Sequence, residues 1–167
     1  MRFQLRCLAA VLALSVSPAA AELQYEYYEG FWTEVPDFSA LTPIATGTTP
    51  NFDITLAQRA GNFGFRFSGT FTVNQAGTYH FRTESDEGSL LRINGQLVVD
   101  NDGLHEAQTV TGSITLAQGT HSIVVDYFDA TQTQVLRVSY APPDAPPTGF
   151  RLFPDSAVLD GSESRAE

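Results

Sequence analysis

A side-chain period of two runs through most of this chain and limits it to β-structure. Short runs rich in Val, Ile, Thr, Tyr and Phe occupy residues 23–28, 63–67, 70–73, 78–83, 90–93, 96–99, 110–116, 121–128 and 135–140. Each stops within a few residues at Gly, Asn, Asp or Pro, the residues that turn a chain or refuse a ladder. In the clearest run, Tyr79, Phe81 and Thr83 share one face while His80 and Arg82 share the other, as in a strand with one side buried. Asn94-Gly95 between two such runs predicts a tight hairpin, because a type I′ turn needs positive φ at both central positions. Gln75-Ala76-Gly77-Thr78 and Ala117-Gln118-Gly119-Thr120 repeat a second turn solution. No segment reads as a helix, and residues 36–60, rich in Pro, Thr and Ala, read as a long surface excursion. Many short strands without intervening helices predict an all-β fold, an antiparallel β-sandwich or barrel.

The ends of the chain carry different instructions. Arg2 and Arg6 precede an apolar stretch from Cys7 to Val16, Pro18 breaks it, and Ala19-Ala20-Ala21 follows. That order predicts a signal peptide over residues 1–21, cleaved after Ala21, and a secreted or periplasmic protein. The stretch is too short to span a bilayer, which takes about 20 apolar residues. Cleavage removes the only Cys, so the mature chain has no disulfide option and must rest on core burial, or on a bound ion. About 146 residues remain, enough for one ordinary domain. That β unit is expected over residues 22–143. Residues 144–167 begin with a proline-rich stretch and are expected to form a linker and flexible tail, with Phe150 to Phe153 able to dock as an edge strand.

Loss of Arg2 and Arg6 takes the formal charge from −10 to −12, and no Lys occurs anywhere in the chain. So acidic a surface repels nucleic-acid phosphates and anionic membranes and favours cations and neutral partners. No later segment is long and apolar enough to insert into a membrane as a helix.

A specific skeleton runs through the middle of the chain. Gly69-Thr70-Phe71-Thr72-Val73, Gly77-Thr78-Tyr79-His80-Phe81, Ser85-Asp86-Glu87-Gly88-Ser89 and Leu91-Arg92-Ile93-Asn94-Gly95 follow at tight spacing. Val98-Val99-Asp100-Asn101-Asp102-Gly103-Leu104-His105, the 123–127 strand and Leu136-Arg137-Val138-Ser139-Tyr140 continue it. Over residues 23–143 this skeleton resembles the PA14 domain, named for a piece of the anthrax protective antigen and found in yeast adhesins and bacterial glycosidases. The resemblance implies an antiparallel β-sandwich that often binds carbohydrate. In lectin members two adjacent acids joined by a cis peptide chelate calcium, and a second loop adds an Asn. Asp86-Glu87 corresponds to the acid pair, and Asp129 falls where the Asn would be. Glu87 departs from the usual Asp by one methylene, and residues 129–133 lack the aromatic that some lectin members set against the sugar.

The chemistry of the cluster stands beside that resemblance. Calcium takes six to eight hard oxygen ligands, and Asp86, Glu87 and Asp129 would supply three carboxylates with turn carbonyls nearby. Vicinal sugar hydroxyls could then replace bound waters. The competing reading makes 85–88 a solvated turn whose acids cap backbone amides. Asp102, His105, Thr131, Gln132 and Trp32 are the further ligand-binding candidates, Trp32 as a stacking surface. Asp102 also suits a plain turn, and His80, His105 and His121 are too widely spaced for a local zinc motif. No nucleophile elbow, zinc-protease helix or phosphate loop is present. The expected function is therefore a non-enzymatic, calcium-dependent, lectin-like module for a glycan or cell-surface polysaccharide. The alternatives are a structural or protein-interaction module without metal or sugar and, remotely, a two-carboxylate glycosidase.

Overall fold

The computed structural model describes residues 22–131, 133–146, 148–153 and 158–159. The expected signal peptide and its cleavage after Ala21 lie outside the described residues, as do Gln132 and the last eight residues. Eleven strands form two sheets: β1 Leu23–Glu29, β2 Ala45–Thr49, β3 Phe63–Val73, β4 Gly77–Asp86, β5 Ser89–Ile93, β6 Gln96–Asn101, β7 Gln108–Leu116, β8 Gly119–Asp129, β9 Val135–Ala141, β10 Arg151–Leu152 and β11 Val158–Leu159. One sheet runs β2-β1-β3-β8-β5-β6, with β11 added beside the far end of β3, and the other runs β10-β9-β4-β7. All pairings are antiparallel except that of β11 with β3. The expected β-sandwich is what the chain forms, with no α-helix among the described residues.

The alternation seen in the sequence builds the interior. Phe63, Phe65, Phe67, Phe71 and Val73 of β3 face Tyr79 and Phe81 of β4 and Leu136, Val138 and Tyr140 of β9 in one buried cluster. Ring pairs such as Phe65 on Phe67, stacked at 5.2 Å, fill it, and aromatic burial of this kind dominates core energetics. Asn94 and Gly95 adopt φ of 51° and 79°, the positive values the hairpin between β5 and β6 requires.

Two expectations are corrected. Residues 63–73 form one 11-residue strand, since Ser68 and Gly69 stay in register with Val124 and Ile123 of β8. The excursion over 36–60 contains edge strand β2 and two single 3-10 turns, and it inserts Phe38 and Phe52 as buried residues. Beyond the β unit expected over 22–143, the segment Phe150 to Phe153 docks as the edge strand the sequence allowed, with β10 paired to β9. The prolines fold the chain back through Ala145 N–H to Pro142 O and Gly149 N–H to Pro146 O turns. Phe153, 4% exposed, then meets Phe71 edge-on at 5.5 Å while its amide donates to Val138 O. Burial of this aromatic side chain helps offset the cost of ordering the segment, which its prolines already reduce.

Candidate functional site

Register brings the predicted acids to one end of the sandwich. Phe63 pairs with Asp129, Ser89 pairs with both Tyr127 and Asn101, and Asp86 pairs with Val135. The β4–β5 turn, the β6–β7 loop, the β8–β9 crossing and the segment before β3 therefore gather there. Along the inward rows of β4, β5, β6 and β8 the side chains change from apolar to polar as they approach this end. Thr83, Ser85, Ser89, Asn101 and Asp129 are all buried.

Below the acidic turn, these residues form a chain of hydrogen bonds. Ser89 Oγ donates to Thr83 Oγ1 at 3.0 Å and lies 2.8 Å from Ser85 Oγ, and Asn101 Nδ2 donates to Ser85 Oγ at 2.8 Å. The two stems of the turn are thus tied together at Ser85 and Ser89, on either side of Asp86-Glu87-Gly88. Tyr127 Oη donates to the Asp86 carbonyl at 2.6 Å, and Phe128 N–H donates to Gly88 O. The Asp86–Glu87 peptide is cis. This supporting network was missed in the sequence. Its trace was there, in polar residues appearing at inward parity near the ends of otherwise apolar strands.

The three acids lie in different surroundings. Asp86 and Glu87 are 6% and 5% exposed, and Asp129 is fully buried. Glu87 Oε2 accepts the His105 amide at 2.8 Å. Neither Asp129 carboxylate oxygen has a hydrogen-bond partner. Burial first, and then the Glu87 and Asp86 charges, push its pKa up to about 7; the Thr131 amide offsets part of that rise without reaching hydrogen-bond geometry. Among the described residues no salt bridge reaches any of the three acids. Nor do three His, Cys, Asp or Glu side chains converge there as tightly as ligands of a bound ion. Like charges without a counterion keep apart, and one of them favours protonation.

The remaining candidates divide. Asp102 Oδ1 accepts the Val35 and Gly103 amides, both at 2.7 Å, so it ties the loop after β1 to the β6–β7 loop. The half-buried His105 ring lies against the Glu106 and Asn101 carbonyls. Trp32 is half-buried, edge-on to Phe38 at 5.8 Å, and the most exposed aromatic of that loop is Phe31. Thr131 is exposed beside a depression lined by residues 59–62 and 130–131.

Comparisons with known proteins agree with this architecture. A PA14 sugar-binding domain from an RTX adhesin aligns with TM-score 0.62 and 23% identity over 81% of this chain and 96% of that one. The Epithelial Adhesin 9 A domain from Candida glabrata, solved in complex with Galb1-4GlcNAc, aligns at 0.55 and 15% over 79% and 87%. A β-glucosidase from Kluyveromyces marxianus aligns at 0.56 and 14% over 74% of this chain but only 16% of its own. At these identities the likeness is one of fold. No curated protein matches the chain. The profile of the PA14 domain covers residues 27–150, most of the sequence and nearly all of both sheets, so the chain belongs to the PA14 domain family.

Proposed function

We propose that the mature protein is an exported, non-catalytic module that binds glycans through a calcium ion held by Asp86, Glu87 and Asp129. One observation carries this reading: two loops bury three carboxylates at one end of the sandwich, no cation among the described residues opposes them, and both Asp129 oxygens lack a partner. A buried, unpaired carboxylate costs several kcal/mol unless something compensates it. All-oxygen donors of this charge suit a hard divalent cation better than a transition metal. Bound calcium supplies neutralising charge and open coordination positions that vicinal hydroxyls of a neutral saccharide can fill.

The chain's own residues do the rest. The Ser85–Ser89–Asn101 chain fixes the height of the acidic turn, and the His105 amide orients Glu87. Asp102 braces the neighbouring loop through Val35. Exposed Thr131, which lines the depression beside Asp129, is the residue we assign to the hydroxyls a cation leaves free, and Gln132, next in sequence, is a candidate for the same role. Relatives titled as sugar-binding adhesin domains support the glycan as ligand, and the N-terminal segment supports export.

Calorimetric and thermal titration of the mature protein with calcium, then with EDTA, is the test. At a hundredfold excess over Kd, calcium should add about 2.7 kcal/mol of stability. Asp86→Ala and Asp129→Ala should abolish that gain, and Glu87→Asp should keep it. A calcium-dependent hit on a glycan array completes the expectation. Superimposable melts in calcium and EDTA would sink the metal site and leave a structural or protein-binding module.

A further inference from the structure

Beside Asp129, the surface forms a depression that the three acids do not explain. Its walls are residues 59–62 and 130–131. The walls touch at Gly61, where a Cβ would lie 1.7 Å from the Thr131 carbonyl oxygen and 3.3 Å from Asp129 Oδ2. Only glycine permits that approach. The floor of the depression therefore adjoins the buried, unpartnered Asp129 carboxylate. Two hydrogen bonds hold the rim: Gln134 Nε2 donates to Ala60 O, and Gly30 N–H donates to Asn62 O at 3.1 Å. The second tethers the loop that carries Phe31.

Phe31 is the most exposed large apolar residue described, at 83%. Arg59, which lines the depression, has its guanidinium 6.0 Å from the centroid of the Phe31 ring. A lone exposed apolar side chain needs no explanation. This one adjoins a depression, an arginine and an orphaned carboxylate, which together have the composition of a sugar-binding surface: an aromatic face for C–H groups, a fork of N–H donors for hydroxyls, and a polar floor. Charge selects among saccharides. Glu29 Oε2 lies 3.5 Å from Arg59 Nη1, and three more carboxylates stand behind, so the area is not positive even beside a divalent cation. An acidic sugar is repelled and a neutral one is not.

We propose that Phe31, Arg59 and this depression form a second saccharide subsite, so that the protein recognises a neutral oligosaccharide of two or more units and not a single sugar. The proposal rests on the calcium and glycan reading above.

The test uses an array of neutral mono-, di- and trisaccharides with uronate-bearing controls, and calorimetry with calcium alone. Wild-type protein, Phe31→Ala and Arg59→Gln should all titrate calcium equally. Wild-type protein should bind neutral di- or trisaccharides at least about tenfold tighter than their terminal monosaccharide, and each variant should lose about tenfold on the longer glycans alone, as expected for one aromatic or charge-assisted contact. Equal binding of mono- and oligosaccharides by wild-type protein, or oligosaccharide binding unchanged in both variants, would overturn the subsite while leaving the calcium site in place. A preference for uronates would overturn the ligand class. A blank array with calcium still titrating would remove the glycan reading and the subsite with it.

Discussion

Asp126 and Asp129 stand three residues apart on β8 and are 2% and 0% exposed, yet their surroundings are opposite. Asp126 is on the outward row of its sheet, between outward arginines of the flanking strands. Arg66 Nε donates to its Oδ1 at 2.7 Å, and Arg92 Nη1 donates to its Oδ2 at 3.0 Å. Arg66 is held more strongly protonated by that carboxylate. Asp129 ends the inward row, faces Asp86 and Glu87, and has no hydrogen-bond partner for either oxygen. One buried acid thus serves the sheet, while the other is left in a state that stability alone does not favour. The calcium ion proposed above is the partner that would complete it.

Substitution at Asp126 should produce the largest effect on this contrast. Asp126→Ala leaves two partly buried guanidinium groups without their shared partner and should cost about 3 kcal/mol, less than a fully buried pair because both arginines keep some solvent. Urea denaturation in EDTA measures it, and a loss under about 1 kcal/mol would show that solvent already screens the pair. Asp129→Asn should act with the opposite sign. In EDTA above pH 7 it should stabilise the fold by about 1–2 kcal/mol, because it removes an ionised group that is buried and repelled. A destabilised Asp129→Asn would mean that the carboxylate is satisfied without metal.

The same contrast predicts a pH dependence of comparable size. Asp129 has a native pKa of about 7 against 3.8 for the free side chain, so between these values the native state holds a proton that the unfolded state has released. Its contribution in EDTA is fully present below about pH 4 and is lost as the pH rises through about 7. Chemical denaturation across that window should show the fall in wild-type protein and not in Asp129→Asn. The smallest effect belongs to the exposed pair Arg137–Glu84, whose side chains are 61% and 35% exposed. Arg137→Ala should change stability by less than about 0.5 kcal/mol, which shows that burial, not ion pairing as such, sets the scale.

Much of this was legible in residue order. The alternation at Tyr79, Phe81 and Thr83 and the Asn94-Gly95 turn identified strands and a hairpin, because period and positive φ are local properties. The family resemblance, not the spacing, grouped Asp86, Glu87 and Asp129, and the fold places them at one end of the sandwich. The errors came where local pattern is silent. Residues 36–60 have no period, yet Phe38 and Phe52 are buried because sheet surfaces await them. Beyond the proline-rich segment the sequence allowed an edge strand at 150–153 but gave no sign that Phe153 closes the core. Nor does local pattern tell that Trp32 is half-buried against the Phe38 ring while Phe31 beside it stands exposed.

By itself the sequence determined that this chain makes strands and where most of them turn, since both follow from contacts within a few residues. Only the tertiary structure decided which acid has a partner. Arg66 and Arg92 are 60 and 34 residues from Asp126, and nothing local chooses between them and any other pair. The register of β3 and β5 on β8 brings both arginines to Asp126 and none to Asp129, because a slip of one residue would turn every side chain of a strand to the other face.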